Sequence, residues 1–436
     1  MTVPTRPRVH IETFGCTFNQ SDSEVLAGLL VRAGFELADS PAGADAVIVN
    51  SCTVKSRTYH DVRKRLADLS GSEEGHRPAV ILAGCVPRVY QHSREFANFA
   101  QLGPDNLADA PEVVARALRG ERIVRVARTE APRLALPHIR RNPAVEIIPI
   151  NKGCLGSCTF CQTVIARGRL FSFPDDEIVE RAARAASTGA QIICLTSQDC
   201  GAYGLDRGTN LPRLLRRIAE IPGDFRVRLG MANPDLIKLY LDDLVEALAH
   251  PRFFRFAHVP VQSGSDAVLR AMNRLYTADD FRRIVAALRR RLPDITIATD
   301  IITGFPTETE ADFEASLALV GELRLPVVNR SRFSPRPGTR AARLAPLPAV
   351  VSRERSRRMA AFHRRLAGEL LRAHTNRTAG VIVESNPRPG VALARDDAYR
   401  PVILRGPFQP GESLEVQILG AEDFHLLGRP TGRSAQ

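Results

Sequence analysis

From Val9 onward, short apolar runs alternate with stretches whose apolar positions recur every three or four residues. Val9–Thr13, Ala46–Val49 and Ala79–Leu82 read as strands, and Ser21–Ala33, Arg57–Leu69 and Pro111–Arg119 as helices. That order predicts an open parallel α/β sheet over residues 1–143. A second series follows, with strands at Glu146–Asn151, Gln191–Thr196, Arg226–Met231, Arg255–Gln262, Ile295–Ile302 and Val327–Phe333. Its helices fall at Asp175–Thr188, Leu211–Glu220, Leu236–His250, Ala267–Leu292 and Glu310–Leu323. Six βα units over 144–344 predict a parallel barrel left open, a partial (β/α)6 barrel. A helix at Ser352–Ala373 fills most of a linking segment, 345–374. Five short strands between Thr378 and Gly428, punctuated by Pro387, Gly390, Pro407, Pro410 and Gly411, predict a small β-barrel over 375–436. The fold class is α/β with an appended β-barrel.

Composition narrows the class. With 44% apolar and 25% charged residues among 436, the chain has ordinary globular character, enough for two or three domains. No run reaches the ~18–20 apolar residues of a membrane helix, and Met1–His10 lacks the apolar core of a signal peptide. Eight scattered cysteines do not make a disulfide scaffold, so a reducing, cytoplasmic compartment is expected. The net charge of +12, carried mainly by arginine, favours a polyanionic partner such as RNA, although an arginine-rich proteome would produce the same excess. Arg353–Arg372 sets Met359, Phe362, Leu366 and Leu370 on one helix face and bases on the other, either a solvated face or a set of phosphate contacts.

The cysteines carry the chemistry. Gly153-Cys154-Leu155-Gly156-Ser157-Cys158-Thr159-Phe160-Cys161 places three thiols at C-x3-C-x2-C spacing directly after an apolar strand. Thiolates so close suit one metal centre, yet no fourth Cys or His stands at zinc-finger spacing. Three thiolates on a four-iron cluster leave one iron open to another ligand. The motif, with Phe160 before its third cysteine, resembles the radical S-adenosylmethionine (SAM) signature. The resemblance implies a 4Fe-4S cluster on Cys154, Cys158 and Cys161 whose open iron chelates SAM, and reductive release of a 5′-deoxyadenosyl radical.

A second triad emerges from the first domain. Cys16, Cys52 and Cys85 each stand just past a strand, in Phe14-Gly15-Cys16, Asn50-Ser51-Cys52 and Ala83-Gly84-Cys85. In a parallel sheet those carboxyl ends share one edge, so the three converge. Two such triads resemble the methylthiotransferases, whose blocks Gly15-Cys16-Thr17-Phe18-Asn19-Gln20-Ser21-Asp22, Asn50-Ser51-Cys52-Thr53-Val54 and Ala83-Gly84-Cys85-Val86-Pro87 match here. The resemblance implies that Cys16, Cys52 and Cys85 hold an auxiliary 4Fe-4S cluster carrying the sulfur to be delivered, with Asn19 and Asn50 nearby. It also implies that Ser197, Gln198 and Asp199 meet the amino end of SAM and that Gln262 and Ser263 meet its ribose or adenine. Asp300 and Arg332 would line the cavity beyond. Cys158–Cys161 followed by Ala166-Arg167-Gly168-Arg169-Leu170, then Thr196–Gly204, Gly230–Pro234, Val259–Asp266, Ala298–Pro306 and Pro335–Thr339, resemble the archaeal and eukaryotic branch acting on threonylcarbamoyladenosine in tRNA. That branch implies a C-terminal TRAM domain, the tRNA anticodon loop as partner, and external electron and sulfur donors. The chain departs from the branch at Gln162-Thr163-Val164, where bases are usual, and at Cys200, Leu205 and Arg340. Cys194, in an apolar strand, reads as core, and Cys200 as a neutral replacement. Three rivals are a methylthiotransferase acting on a protein or peptide, a cobalamin-binding N-terminal sheet, and an RNA-binding protein merely stabilised by clusters. No D-x-H-x-x-G motif supports the second.

Overall fold

The computed structural model describes residues 6–53, 56–71, 77–130 and 133–432. Val54 of the second cysteine block, Met1 to Thr5 and Arg433 to Gln436 of the polar ends lie outside them. The chain forms two compact units. One comprises the residues up to Arg141 together with Lys152–Gly156 and Cys161–Phe173, the other Asn142–Asn151, Ser157–Phe160 and Pro174–Gln436.

The first unit is built on a six-stranded parallel sheet. In spatial order its strands are Glu36–Leu37, Arg8–Thr13, Ala46–Ser51, Ala79–Gly84, Ala100–Leu102 and Val124–Arg125. Only three were predicted, because the two-residue strands and the Ala-Gln-Leu strand are too short to show a period. Ala46–Ser51 is buried throughout, as a central parallel strand covered on both faces must be. One face packs Val25, Leu26, Leu29 and Leu30 with Val113 and Val114, and the other packs Val62, Leu66 and Val86. The strand order reverses between Arg8–Thr13 and Ala46–Ser51, which places a topological switch point beside Cys16 and Cys52.

In the second unit, Val145–Pro149, Ile192–Thr196 and Arg226–Leu229 form one parallel sheet, and Phe256–His258, Thr296–Thr303 and Val327–Arg332 another. The bridges Val227↔Phe253 and Met231↔His258 join them edge to edge into the six-stranded partial barrel. Pro260 removes a ladder donor and Gln262 adopts φ 69°, so the fourth strand stops at His258 rather than running to Gln262. The predicted helix Ala267–Leu292 is two helices, Asp266–Ala271 and Ala278–Arg291, broken where Asn273 takes φ 57° and restarted by a Thr277–Asp280 capping box. Leu236–His250 is likewise divided, into Pro234–Ile237 and Leu241–Leu248.

The helix Ala349–Arg372 leads to a closed five-stranded barrel. Val381 and Val383, Ala392 and Ala394, Val402 and Leu404, and Val416 and Ile418 alternate inward at period two, and Leu371 joins their core. No helix among the described residues is long and apolar enough to cross a membrane.

Candidate functional site

In the first unit the three strand ends converge as their parallel registers require. Thr13 pairs with Asn50, and Ser51 with Gly84, so Cys16, Cys52 and Cys85 leave one sheet edge side by side. The Cys52 thiol hydrogen-bonds both Cys16 and Cys85. Cys52 and Cys85 are buried, while Cys16 is exposed and opens the group to solvent. Hydrogen bonding from Cys52 brings the Cys16 and Cys85 thiols down to about 6, with the Arg167 charge acting in the same sense. The Cys52 thiol is pushed up, mainly because it donates to its neighbours.

The backbone around this triad is fixed by buried amides. Asn19 Nδ2 donates to the Ser51 carbonyl at 3.0 Å, and Asn50 Nδ2 donates to the Asn19 carbonyl at 2.8 Å and to Ser23 Oγ at 2.9 Å. Gly15 has φ +148°, and a Cβ there would stand 2.6 Å from Cys52 Cβ, so only glycine lets the first and second loops close. Beside them Arg167 Nε donates to Cys85 Sγ at 3.2 Å and Arg167 Nη2 to Asp22 Oδ2 at 2.6 Å. Arg133 pairs with the other Asp22 oxygen.

Of the other three cysteines, Cys154 and Cys161 belong to the first unit and Cys158 to the second. In the first, the Gly156 amide donates to Cys154 Sγ at 3.2 Å, and Cys161 Sγ lies 3.1 Å from Thr163 Oγ1. Gly153 has φ +75°, and a Cβ there would collide with the Arg169 carbonyl at 2.0 Å. In the second, Arg274 Nη1 donates to Cys158 Sγ at 3.0 Å. The Thr159 amide bonds the Met272 carbonyl at 3.0 Å, and Phe160 packs against Val268, Met272, Phe305 and Ala341. Among the described residues no three His, Cys, Asp or Glu side chains are set as the cage of a single metal ion. The thiols are soft donors of the kind iron–sulfur chemistry takes, with a guanidinium on Cys85 and another on Cys158.

The remaining expected residues lie at the carboxyl ends of the barrel strands, in different states. Asp199 is buried, accepting from Asn233 Nδ2 at 2.7 Å and from the Asn233 and Gly201 amides at 3.1 and 3.0 Å. Burial raises its carboxyl to about 6 against those bonds. Ser197 Oγ accepts from the Asp199 amide at 2.9 Å. Gln198 follows the same strand, and Gln262 bridges to Ile301. Ser263 is fully buried, with Oγ 3.3 Å from Ser316 Oγ and 3.2 Å from the Ser265 amide. Asp300 lies 3.2 Å from His258 Nε2, and Arg332 ends the sixth strand, exposed. Cys194 is a core residue, and burial pushes the Cys200 thiol up to about 12, a neutral group.

Sequence reasoning passed over His258, Arg133 and Arg274, and it named Asp22 and Arg167 only as parts of blocks. Arg274 is the most connected of them. It touches Cys158, Tyr276 OH at 2.9 Å, and Asn233 Oδ1, and so links the Cys158 thiol to the Asp199 carboxylate. Its position after a helix break gave no periodic signal.

The pattern of the Radical SAM superfamily matches residues 148–320, and that of the uncharacterized protein family UPF0004 matches residues 8–101. A probable threonylcarbamoyladenosine tRNA methylthiotransferase of Archaeoglobus fulgidus is 41% identical over 433 residues, covering 98% of this chain and 100% of that one. The threonylcarbamoyladenosine tRNA methylthiotransferase of Homo sapiens is 38% identical over 98% of this chain and 75% of that one. Among solved structures, the radical SAM methyltransferase TsrM of Kitasatospora setae, with cobalamin and a 4Fe-4S cluster bound, superposes with TM-score 0.56 at 14% identity, over 78% of this chain and 77% of that one. At that identity the likeness concerns the fold alone. With two relatives matched over nearly the whole chain, the protein belongs to the threonylcarbamoyladenosine tRNA methylthiotransferase family of radical SAM enzymes.

Proposed function

We propose that this protein inserts a methylthio group at C2 of N6-threonylcarbamoyladenosine at position 37 of tRNA, in the cytoplasm, by a radical route using two SAM molecules. Two separate three-thiol groups in one chain carry the reading, because delivering a sulfur atom and generating a radical are distinct tasks. When bound, a 4Fe-4S cluster on Cys154, Cys158 and Cys161 supplies the electron that cleaves SAM, and one on Cys16, Cys52 and Cys85 carries the sulfur.

The chain's own residues do the rest. Arg274 holds Cys158 and, through Asn233, fixes the Ser197–Asp199 turn that is to meet the SAM amino end. Asp199 is spent on Asn233 and Gly201, so in this reading it shapes the turn while Ser197, Gln198 and the turn amides do the contacting. Ser263 is similarly tied to Ser316, so in this reading Gln262 is the side chain of that pair that meets SAM. His258 and Asp300 stand 3.2 Å apart on neighbouring barrel strands, and in this reading Arg332 offers a cation to the carbamoyl-threonine carboxylate. The closed C-terminal barrel and the exposed arginines Arg353, Arg357, Arg364, Arg365 and Arg372 suit an anticodon loop. Electrons and sulfur come from external donors.

The test is nucleoside analysis of tRNA incubated with the reconstituted enzyme, SAM, sulfide and a reductant. A 2-methylthio product on tRNA carrying N6-threonylcarbamoyladenosine, and none on tRNA lacking it, is expected. SAM cleavage that never marks tRNA would replace this reading with a protein or peptide substrate.

A further inference from the structure

Behind the Cys16/Cys52/Cys85 group lies a buried charge array that the proposed reaction does not require. Asp22 is wholly buried, with Arg133 on one carboxylate oxygen and Arg167 on the other, 2.6 Å away. Arg133 and Arg167 keep only 7% and 4% of their surface. Both guanidinium groups also lie over the Phe18 ring, at 4.7 and 4.6 Å from its centroid. Arg167 Nε lies 3.2 Å from Cys85 Sγ, so the array sets a buried guanidinium on one thiol of the group. A buried cation favours negative charge on the group beside it.

We propose that the Arg133–Asp22–Arg167 array, stacked on Phe18, is the built-in counter-charge of the Cys16/Cys52/Cys85 site, with Arg167 as the positioning residue that sets the site's reduction potential and its hold on iron. The inference rests on the proposed reading of those cysteines as ligands of an iron–sulfur cluster. Each electron added to a thiolate-bound cluster adds negative charge. A guanidinium donating to one of its sulfurs therefore stabilises the reduced form, and hydrogen bonds and net charge are the terms that set cluster potentials. Because the helix Thr163–Arg167 packs beside Cys85–Val89, the segment that carries Cys161 also delivers the cation to Cys85.

The experiment uses the full chain carrying Cys154→Ala, Cys158→Ala and Cys161→Ala, reconstituted anaerobically so that only the second site can hold iron. Its midpoint potential is followed by electron paramagnetic resonance, and iron release to a ferrous chelator gives a rate. In that background Arg167→Met shifts the midpoint to more negative potential and speeds iron release by about tenfold or more. Arg167→Lys, which keeps the charge but loses the fork, restores most of the midpoint. Asp22→Asn, which removes the anion, shifts the midpoint the opposite way. That reversal of sign is one that a merely structural role would not produce, and it decides the matter should Arg167→Met fail to fold. A four-iron cluster with unchanged midpoint in both Arg167→Met and Asp22→Asn overturns the proposal and leaves the site reading standing. If the background chain takes up no iron, the site reading fails first and the proposal falls with it.

Discussion

At the scale of single residues, each proposed cluster site depends on a few atoms that tolerate no additions. A methyl at position 15 would have to displace Cys52 while holding φ +148°, a conformation costing roughly 1–3 kcal/mol for a residue with a Cβ. Gly15→Ala should therefore lose the iron of the Cys16/Cys52/Cys85 site and keep that of the other, as read by iron content per chain. Retention of both clusters would show that the loop has slack. Asp199 makes a pH-dependent prediction. Its folded value of about 6 exceeds the ordinary 3.8, so the folded chain binds the proton more tightly than the unfolded one. The stability this adds is fully present below about pH 4 and is lost as pH rises to about 6, a slope worth up to roughly 3 kcal/mol. Asp199→Asn should remove that slope from urea midpoints measured across pH 4–7, and parallel curves for the two proteins would contradict the assignment. Arg274→Gln, leaving Cys158 without its guanidinium, should cut SAM cleavage measured without tRNA by about tenfold or more.

Among elements, the strands that carry cysteines were legible because strand, glycine or serine, and cysteine are neighbours in sequence. The two arginines that touch those thiols were not. Arg167 and Arg274 reach thiols 82 and 116 positions away, a proximity created only by the parallel sheet and by the turn at Asn273. The break within Ala267–Leu292 was hidden for another reason. Apolar spacing continues through it, and the break shows itself in one positive φ and one capping box. The linking helix was half read. Its Met359 and Leu366 are buried as expected, but its basic face is not uniformly free. Arg355 is buried against Glu308 at 2.8 Å and Glu310 at 3.2 Å, and Arg358 pairs with Glu310 and Glu314. Arg355→Ala should strip the buried Glu308 of its partner and cost about 3–5 kcal/mol in a denaturant titration. Arg365→Ala, on the exposed face, should leave that midpoint within about 0.5 kcal/mol and lower the salt slope of tRNA binding by roughly 1. Equal effects from both variants would mean that the helix is not divided in this way.

Taken whole, the molecule joins three architectures whose periods differ, and this is why the fold class could be read before any geometry. Alternation at period two marks the small barrel, and βα repeats mark the sheet and the partial barrel. The net charge of +12 acts at this scale too, since many pairs such as Arg282–Glu322 and Arg291–Glu246 are exposed and add little stability. The central claim is that one chain carries two cluster sites with three thiols each. It is tested most directly by iron and sulfide content after anaerobic reconstitution, comparing the native sequence with the Cys154→Ala, Cys158→Ala, Cys161→Ala variant. Two four-iron clusters in the first and one in the second are expected. One cluster in the first and no iron in the second would contradict the account and reduce the protein to a radical enzyme with a single centre.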